Sequence, residues 1–146
     1  MRRAIGNALV LLLAVSMLAG CAVNRATATV DPSANLAAIK TMHVIKIPED
    51  DGIVRDIVVQ KFRGKGYTVT SDTEKPSNVD AWVTYLDKWM WDMTMYMLEL
   101  TITIRDPKTD FVLASGNSYH TSLTRKSPTE MVDEVVDNIF SKQGKE

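Results

Sequence analysis

Residues 89–97 read Trp-Met-Trp-Asp-Met-Thr-Met-Tyr-Met and hold the side chains with the most distinctive chemistry in the chain. In extended backbone alternate residues share a face, so Trp89, Trp91, Met93, Met95 and Met97 form one row of indole and thioether groups. Two kinds of chemistry suit such a row. Thioethers are soft ligands that select Cu(I); Met93 and Met95 set two sulfurs on one face with Trp91 beside them, and His120 or His43 could add an imidazole nitrogen. The other is contact, because Trp, Tyr and Met are enriched where proteins meet partners and contiguous exposed apolar patches mark such surfaces. A purely structural arrangement competes with both, in which a tether formed by residues 23–40 or a loop covers the row and methionine fills irregular gaps. The functional expectation is a binding surface made of Trp89, Trp91, Met93, Met95 and Met97. Its alternative is a Cu(I) set of Trp91, Met93, Met95 and His120, and no other metal or cofactor is expected.

Nothing else in the sequence makes a stronger site. His43 and His120 fall in predicted strands, and neither has a nucleophile or carboxylate beside it in a recognisable motif. Glu49, Asp50 and Asp51 lack the alternating ligand spacing of a calcium loop and read as a strand-to-helix connection. There is no phosphate-binding glycine loop, no Gly-x-Ser-x-Gly and no His-Glu-x-x-His. The expectation is a protein that binds and does not catalyse.

The single cysteine has a context of its own. Arg2 and Arg3 precede an uncharged apolar run, and small residues lead into Cys21, which is the general form of a secretory signal. Leu18-Ala19-Gly20-Cys21 resembles the lipobox of bacterial lipoproteins. That resemblance implies a diacylglyceryl group on the Cys21 thiol, cleavage after Gly20 and acylation of the freed amine. Residues 1–20 are then a signal peptide, and residues 21–40 a lipidated N-terminus and tether. Ala22 in place of Asp after the cysteine implies, by the sorting rule of enteric bacteria, the outer membrane on its periplasmic face. Stable anchoring takes more than one acyl chain, and the implied modification supplies three.

Composition narrows the remaining possibilities. Removing 20 residues from 146 leaves 126, enough for one domain with a real core. The 17 Lys and Arg include Arg2 and Arg3 of the leader, against 18 Asp and Glu, so the mature chain is mildly acidic and nucleic acid is not an expected partner. With Cys21 lipidated, no thiol remains for a disulfide, although the periplasm permits them.

The elements that must position the Trp/Met row follow from periodicity. Residues 23–40, rich in Ala, Thr and Asn, read as tether, with a helical turn over 35–39. The β-branched run 41–47, apolar on both faces, predicts a central strand. Ile53, Ile57, Val58 and Phe62 predict a helix over 52–65 that stops at Gly66. Strands are expected at 67–70, 79–87, 94–105 and 111–121, with 106–110 as a hairpin turn. In the third of these, Thr94, Tyr96, Leu98, Leu100, Ile102 and Ile104 share the predicted core face. Ser127, Pro128 and Glu130 make a capping box for a helix whose stripe is Met131, Val132, Val135, Val136, Ile139 and Phe140. The expected fold is α+β: a single domain over 41–146, ordered β-α-β-β-β-β-α, with a mainly antiparallel sheet of about five strands and two helices on one face.

Three resemblances bear on function. Residues 80–83 (Asp-Ala-Trp-Val), the run from Lys88 through Met97, residues 105–109 and residues 125–128 look like a group of small proteobacterial lipoproteins of unknown function. The order of elements is similar to accessory lipoproteins of ABC-type lipid-transport systems. Trp91, Met93 and Met95 are similar in residue type to the Trp, Met, Met site of small β-barrel periplasmic copper chaperones, from which they differ by one residue in spacing. Together these imply a membrane-anchored, periplasm-facing binding or scaffold module with an envelope protein as partner. The alternatives are Cu(I) handling and a lipid-transport accessory.

Overall fold

The computed structural model describes residues 24–48 and 51–143. The expected signal peptide over 1–20, Cys21, Glu49 and Asp50 lie outside the described residues. The elements are β1 (Asn24–Val30), β2 (Thr41–Ile45), α1 (Ile53–Gly64), β3 (Thr68–Asp72), β4 (Ala81–Asp92), β5 (Thr94–Arg105), β6 (Val112–His120) and α2 (Pro128–Gln143). The fold is α+β, with one sheet in the order β1-β6-β5-β4-β2-β3.

Two features of the sheet depart from the sequence reading. First, residues 24–30 are not tether: they form an edge strand antiparallel to β6, pairing Asn24 with His120 and Val30 with Ala114. Alternation in this segment is Arg25, Thr27 and Thr29 against Ala26, Ala28 and Val30, and Ala28 and Val30 pack on the core. Second, the sheet is mixed, because β2 runs parallel to both of its neighbours, β3 and β4. The connection through α1 makes β2 and β3 parallel, and β4 enters on the other side of β2. The Asp80 carboxylate fixes that entry by accepting from Lys40 N, Thr41 N and Thr41 Oγ1 at 2.9–3.0 Å. Met42, His43 and Val44 are all buried, as a strand covered on both faces requires. The turn at Leu36–Ala38 forms and buries Leu36.

Both helices cover the sheet face that carries Val83, Tyr85, Leu100, Ile102 and Ile104. On α1 the buried stripe is Val54, Val58, Val59 and Phe62. Ile53 is exposed and Ile57 half-buried, so the stripe lies one position further along than the sequence pattern indicates. Gly66 adopts φ +96 and ends the helix as expected. The capping box of α2 forms in both directions: Ser127 N donates to Glu130 Oε2 at 2.8 Å and Glu130 N to Ser127 Oγ at 3.3 Å. Its predicted stripe is buried through Ile139, with Phe140 half-buried against Phe62 and Tyr67. Lys61 bridges the helices by pairing with Asp133 and Asp137. Gly116 lets α2 lie close on β6, since a Cβ there would sit 2.8 Å from Val135 Cγ1.

Candidate functional site

The Trp/Met row lies on a two-stranded arm. β5 pairs with β6 no further than Glu99 opposite Tyr119, whereas β4 and β5 continue pairing through Trp89–Met97, Met90–Tyr96, Trp91–Met95 and Asp92–Thr94. Met93 alone makes the apex, in left-handed backbone at φ 56. A β-carbon is disfavoured there by on the order of 1 kcal/mol, so a long apolar side chain occupies a position that suits Gly or Asn.

Leu98 decides which way the row faces. Lys88 pairs with Glu99 but Trp89 pairs with Met97, so Leu98 is an extra residue, a bulge in β5. The bulge inverts the alternation of the strand before it. On β4, Trp89 and Trp91 keep the parity of Ala81, Val83 and Tyr85, which belong to the core cluster. Met95 and Met97, paired opposite them, therefore lie on the helix-covered side, and Thr94 and Tyr96 on the other. The sequence reading had the two faces reversed. Met97 is corrected twice, because it is 1% exposed and part of the core rather than of an outer surface.

Beyond the core the same row emerges into solvent. Trp91 is 69%, Met93 88% and Met95 58% exposed, and Trp89 and Met90 are partly so. Among the described residues neither the N-terminal segment nor a loop covers them. Trp89 is oriented by its own strand, its Nε1 donating to Asp87 Oδ2 at 2.5 Å. The far side of the arm is braced along its length: Arg125 lies over the Tyr96 ring at 4.8 Å and donates to Thr94 Oγ1, in the row next to the apex, at 2.8 Å.

The Cu(I) set is not brought together. His120 is buried at the end of β6 beneath α2, its Nε2 2.8 Å from Glu134 Oε2. In strand register it neighbours Leu98, and Met95 lies three residues further out, on the order of 10 Å along the strand. His43 is spent elsewhere, with Nδ1 2.7 Å from Thr70 Oγ1 and Nε2 accepting from Asp72 N at 3.3 Å.

Sequence reasoning missed one polar cluster. Ser118 Oγ donates to Glu134 Oε2 at 2.5 Å, beside the His120 contact, and Lys126 Nζ donates to Oε1 at 2.5 Å. Burial pushes the Glu134 carboxyl up, but hydrogen bonds from Lys126, Ser118 and His120 outweigh that and hold it at about 2. Residue types here match a hydrolase, but the geometry does not. Hydroxyl and imidazole both address the same carboxylate oxygen, so no base faces the Ser118 oxygen, and Ser118 is fully buried. The cluster ties α2 to β6. Its signal was the polar parity of Ser118 and His120 on the core side of β6, matched by Glu134 beside the stripe of α2.

A shallow groove of 540 Å³ runs between β1 and the end of α2, lined by Ala28, Val30, Asp31, Pro32 and Lys142 among others.

The fold has precedents. The chain is similar to the PelC dodecamer from Paraburkholderia phytofirmans, with a TM-score of 0.60 at 14% identity over 80% of this chain and 98% of that one. A point variant of that dodecamer gives 0.57 at 15% identity over 80% and 96%. TolB from Acinetobacter baumannii gives 0.50 at 13% identity, covering 80% of this chain and 31% of its own. At these identities the likeness is one of fold alone. No family model and no curated protein matches the sequence.

Proposed function

We propose that this protein is a lipid-anchored, periplasm-facing module of the cell envelope that binds or scaffolds and performs no catalysis. The observation that carries this reading is the exposed arm of Trp89, Met90, Trp91, Met93 and Met95, standing clear of a well-packed domain. A soluble domain gains nothing from such a surface unless something else covers it. The lipobox at Cys21 supplies the anchor, and the similar PelC chain, which assembles as a dodecamer, shows that a domain of this fold can take part in a larger assembly.

Anchoring is tested by expressing the full chain in a proteobacterial host and fractionating membranes. Mass spectrometry of the N-terminal peptide is expected to show a triacylated Cys21, and Cys21→Ser to leave an unprocessed, unlipidated chain. A mature protein that begins elsewhere than at Cys21 would overturn the reading.

A further inference from the structure

The arm and the point of anchorage lie at the same end of the sheet. Asn24 opens β1 and pairs with His120, the last residue of β6. In the next strand, Glu99 pairs with Tyr119. Every row of the arm, from Trp89–Met97 to the apex at Met93, projects past that end. Five residues of strand extend roughly 16 Å. Between Cys21 and Asn24 there are three residue steps, which span at most about 11 Å however they are arranged. β1 and β5 are separated only by β6, so the lateral offset is about 10 Å. An acylated Cys21 therefore fixes the membrane surface within reach of the arm.

We propose that the arm docks on the bilayer, its Trp89, Trp91, Met93 and Met95 entering the interfacial region as a second, non-covalent contact beside the lipid anchor. This rests on the lipoprotein reading and names what covers its exposed surface. Trp is favoured at the level of the headgroups, where an apolar ring meets a polar edge. The outer end of the arm is amphipathic: Trp91, Met95 and the apex Met93 are apolar, while Asp92 and Thr94 occupy the opposite parity, with Met90 and Tyr96 behind them. Asp92 limits the depth, since a carboxylate stays in water or among headgroups. Arg25 over Tyr119 and Lys88, paired with Glu99, stand at the base of the arm, and Arg125 reaches along its far side to Thr94, cations placed to meet anionic headgroups. The docked surface is a shallow one, parallel to the membrane rather than across it.

The test uses the mature lipidated protein in phosphatidylethanolamine and phosphatidylglycerol vesicles doped with phosphatidylcholine brominated near the glycerol end of its acyl chains. Three single-tryptophan variants, keeping Trp82, Trp89 or Trp91, report separately on depth. Trp82 is the internal control, buried with its Nε1 donating to Pro76 O at 2.8 Å. Trp91 emission is expected to be quenched several-fold more than that of Trp82, with Trp89 between them. In the Trp91-only background, M93E with M95E is expected to abolish the quenching while the protein stays on the vesicles. Unquenched Trp91 in a vesicle-bound, folded protein would overturn the arm's role and leave the anchor intact. Quenching replaced by a Trp91-dependent oligomer would assign the arm to a second copy and equally overturn it. A mature chain without acyl groups would overturn both readings.

Discussion

At the scale of single residues, Glu134 is the group on which the C-terminal helix is pinned. Its carboxyl lies at about 2 in the folded protein against an ordinary value near 4.5. A depressed carboxylate stabilises the fold above its unfolded value and loses that contribution as pH falls through the folded one. Stability is therefore expected to decline between about pH 5 and pH 2, and Glu134→Gln to flatten that decline while costing about 1–3 kcal/mol at neutral pH. Urea denaturation across that range measures both. Met93 makes the opposite case. Its left-handed backbone would suit glycine, so Met93→Gly is expected to leave stability unchanged or raise it by up to about 1 kcal/mol. The same change removes the most exposed thioether of the arm. A melting temperature that rises while Trp91 quenching falls would show that the methionine is kept at the apex for contact and not for folding.

At the scale of elements, the contact of α2 with the sheet depends on the absence of a side chain at Gly116. A β-carbon there meets Val135 Cγ1 at 2.8 Å and Val135 O at 3.1 Å. Gly116→Val is expected to destabilise by about 1–3 kcal/mol through overpacking, more than Gly64→Val, whose Cβ meets nothing within 4 Å. Chemical denaturation of the two variants side by side separates packing from backbone effects. The helices were legible in the sequence because capping chemistry and a 3.6-residue period identify them without tertiary information, as Ser127, Glu130 and Gly66 show. The strands were legible in place but not in neighbourhood. β2 carries no mark that both of its partners are parallel, because residue type records burial and not strand direction. β1 was hidden by Ala26 and Ala28, which suit a tether in isolation, and only the pairing with β6 and the packing of Ala28 and Val30 on the core make the segment a strand. The largest error came from one residue. Leu98 continues the apolar alternation of Tyr96 and Leu100, so nothing in the sequence distinguishes a bulge from regular strand, yet every side chain before it in β5 changes face.

At the scale of the whole molecule, the surface residues of the candidate site were legible as types, and their proposed role as a membrane contact follows from where β1 begins, three residues after Cys21. The link from Cys21 to β1 is short because β1 is a strand; a tether of about 18 residues would have let the domain drift on the order of 25 Å from the bilayer in any orientation. With β1 in the sheet, the proposed anchorage and the arm fall at one end, and the two proposed contacts would reinforce each other as parts of a bivalent binder. That coupling can be loosened without touching either contact. Inserting a flexible Gly/Ser segment of about 12 residues between Val23 and Asn24 adds a reach of about 20 Å and lowers the effective concentration of the arm at the membrane. The lipidated protein is expected to remain on vesicles, with Trp91 quenching reduced but not lost and now sensitive to the fraction of anionic lipid and to salt. Rescue by anionic lipid would identify the arm's own affinity as the residual force. Quenching indifferent to the spacer would mean that the arm binds strongly enough to need no anchor. If the spacer abolishes it at every lipid composition, the arm touches the bilayer only because three residues hold it there.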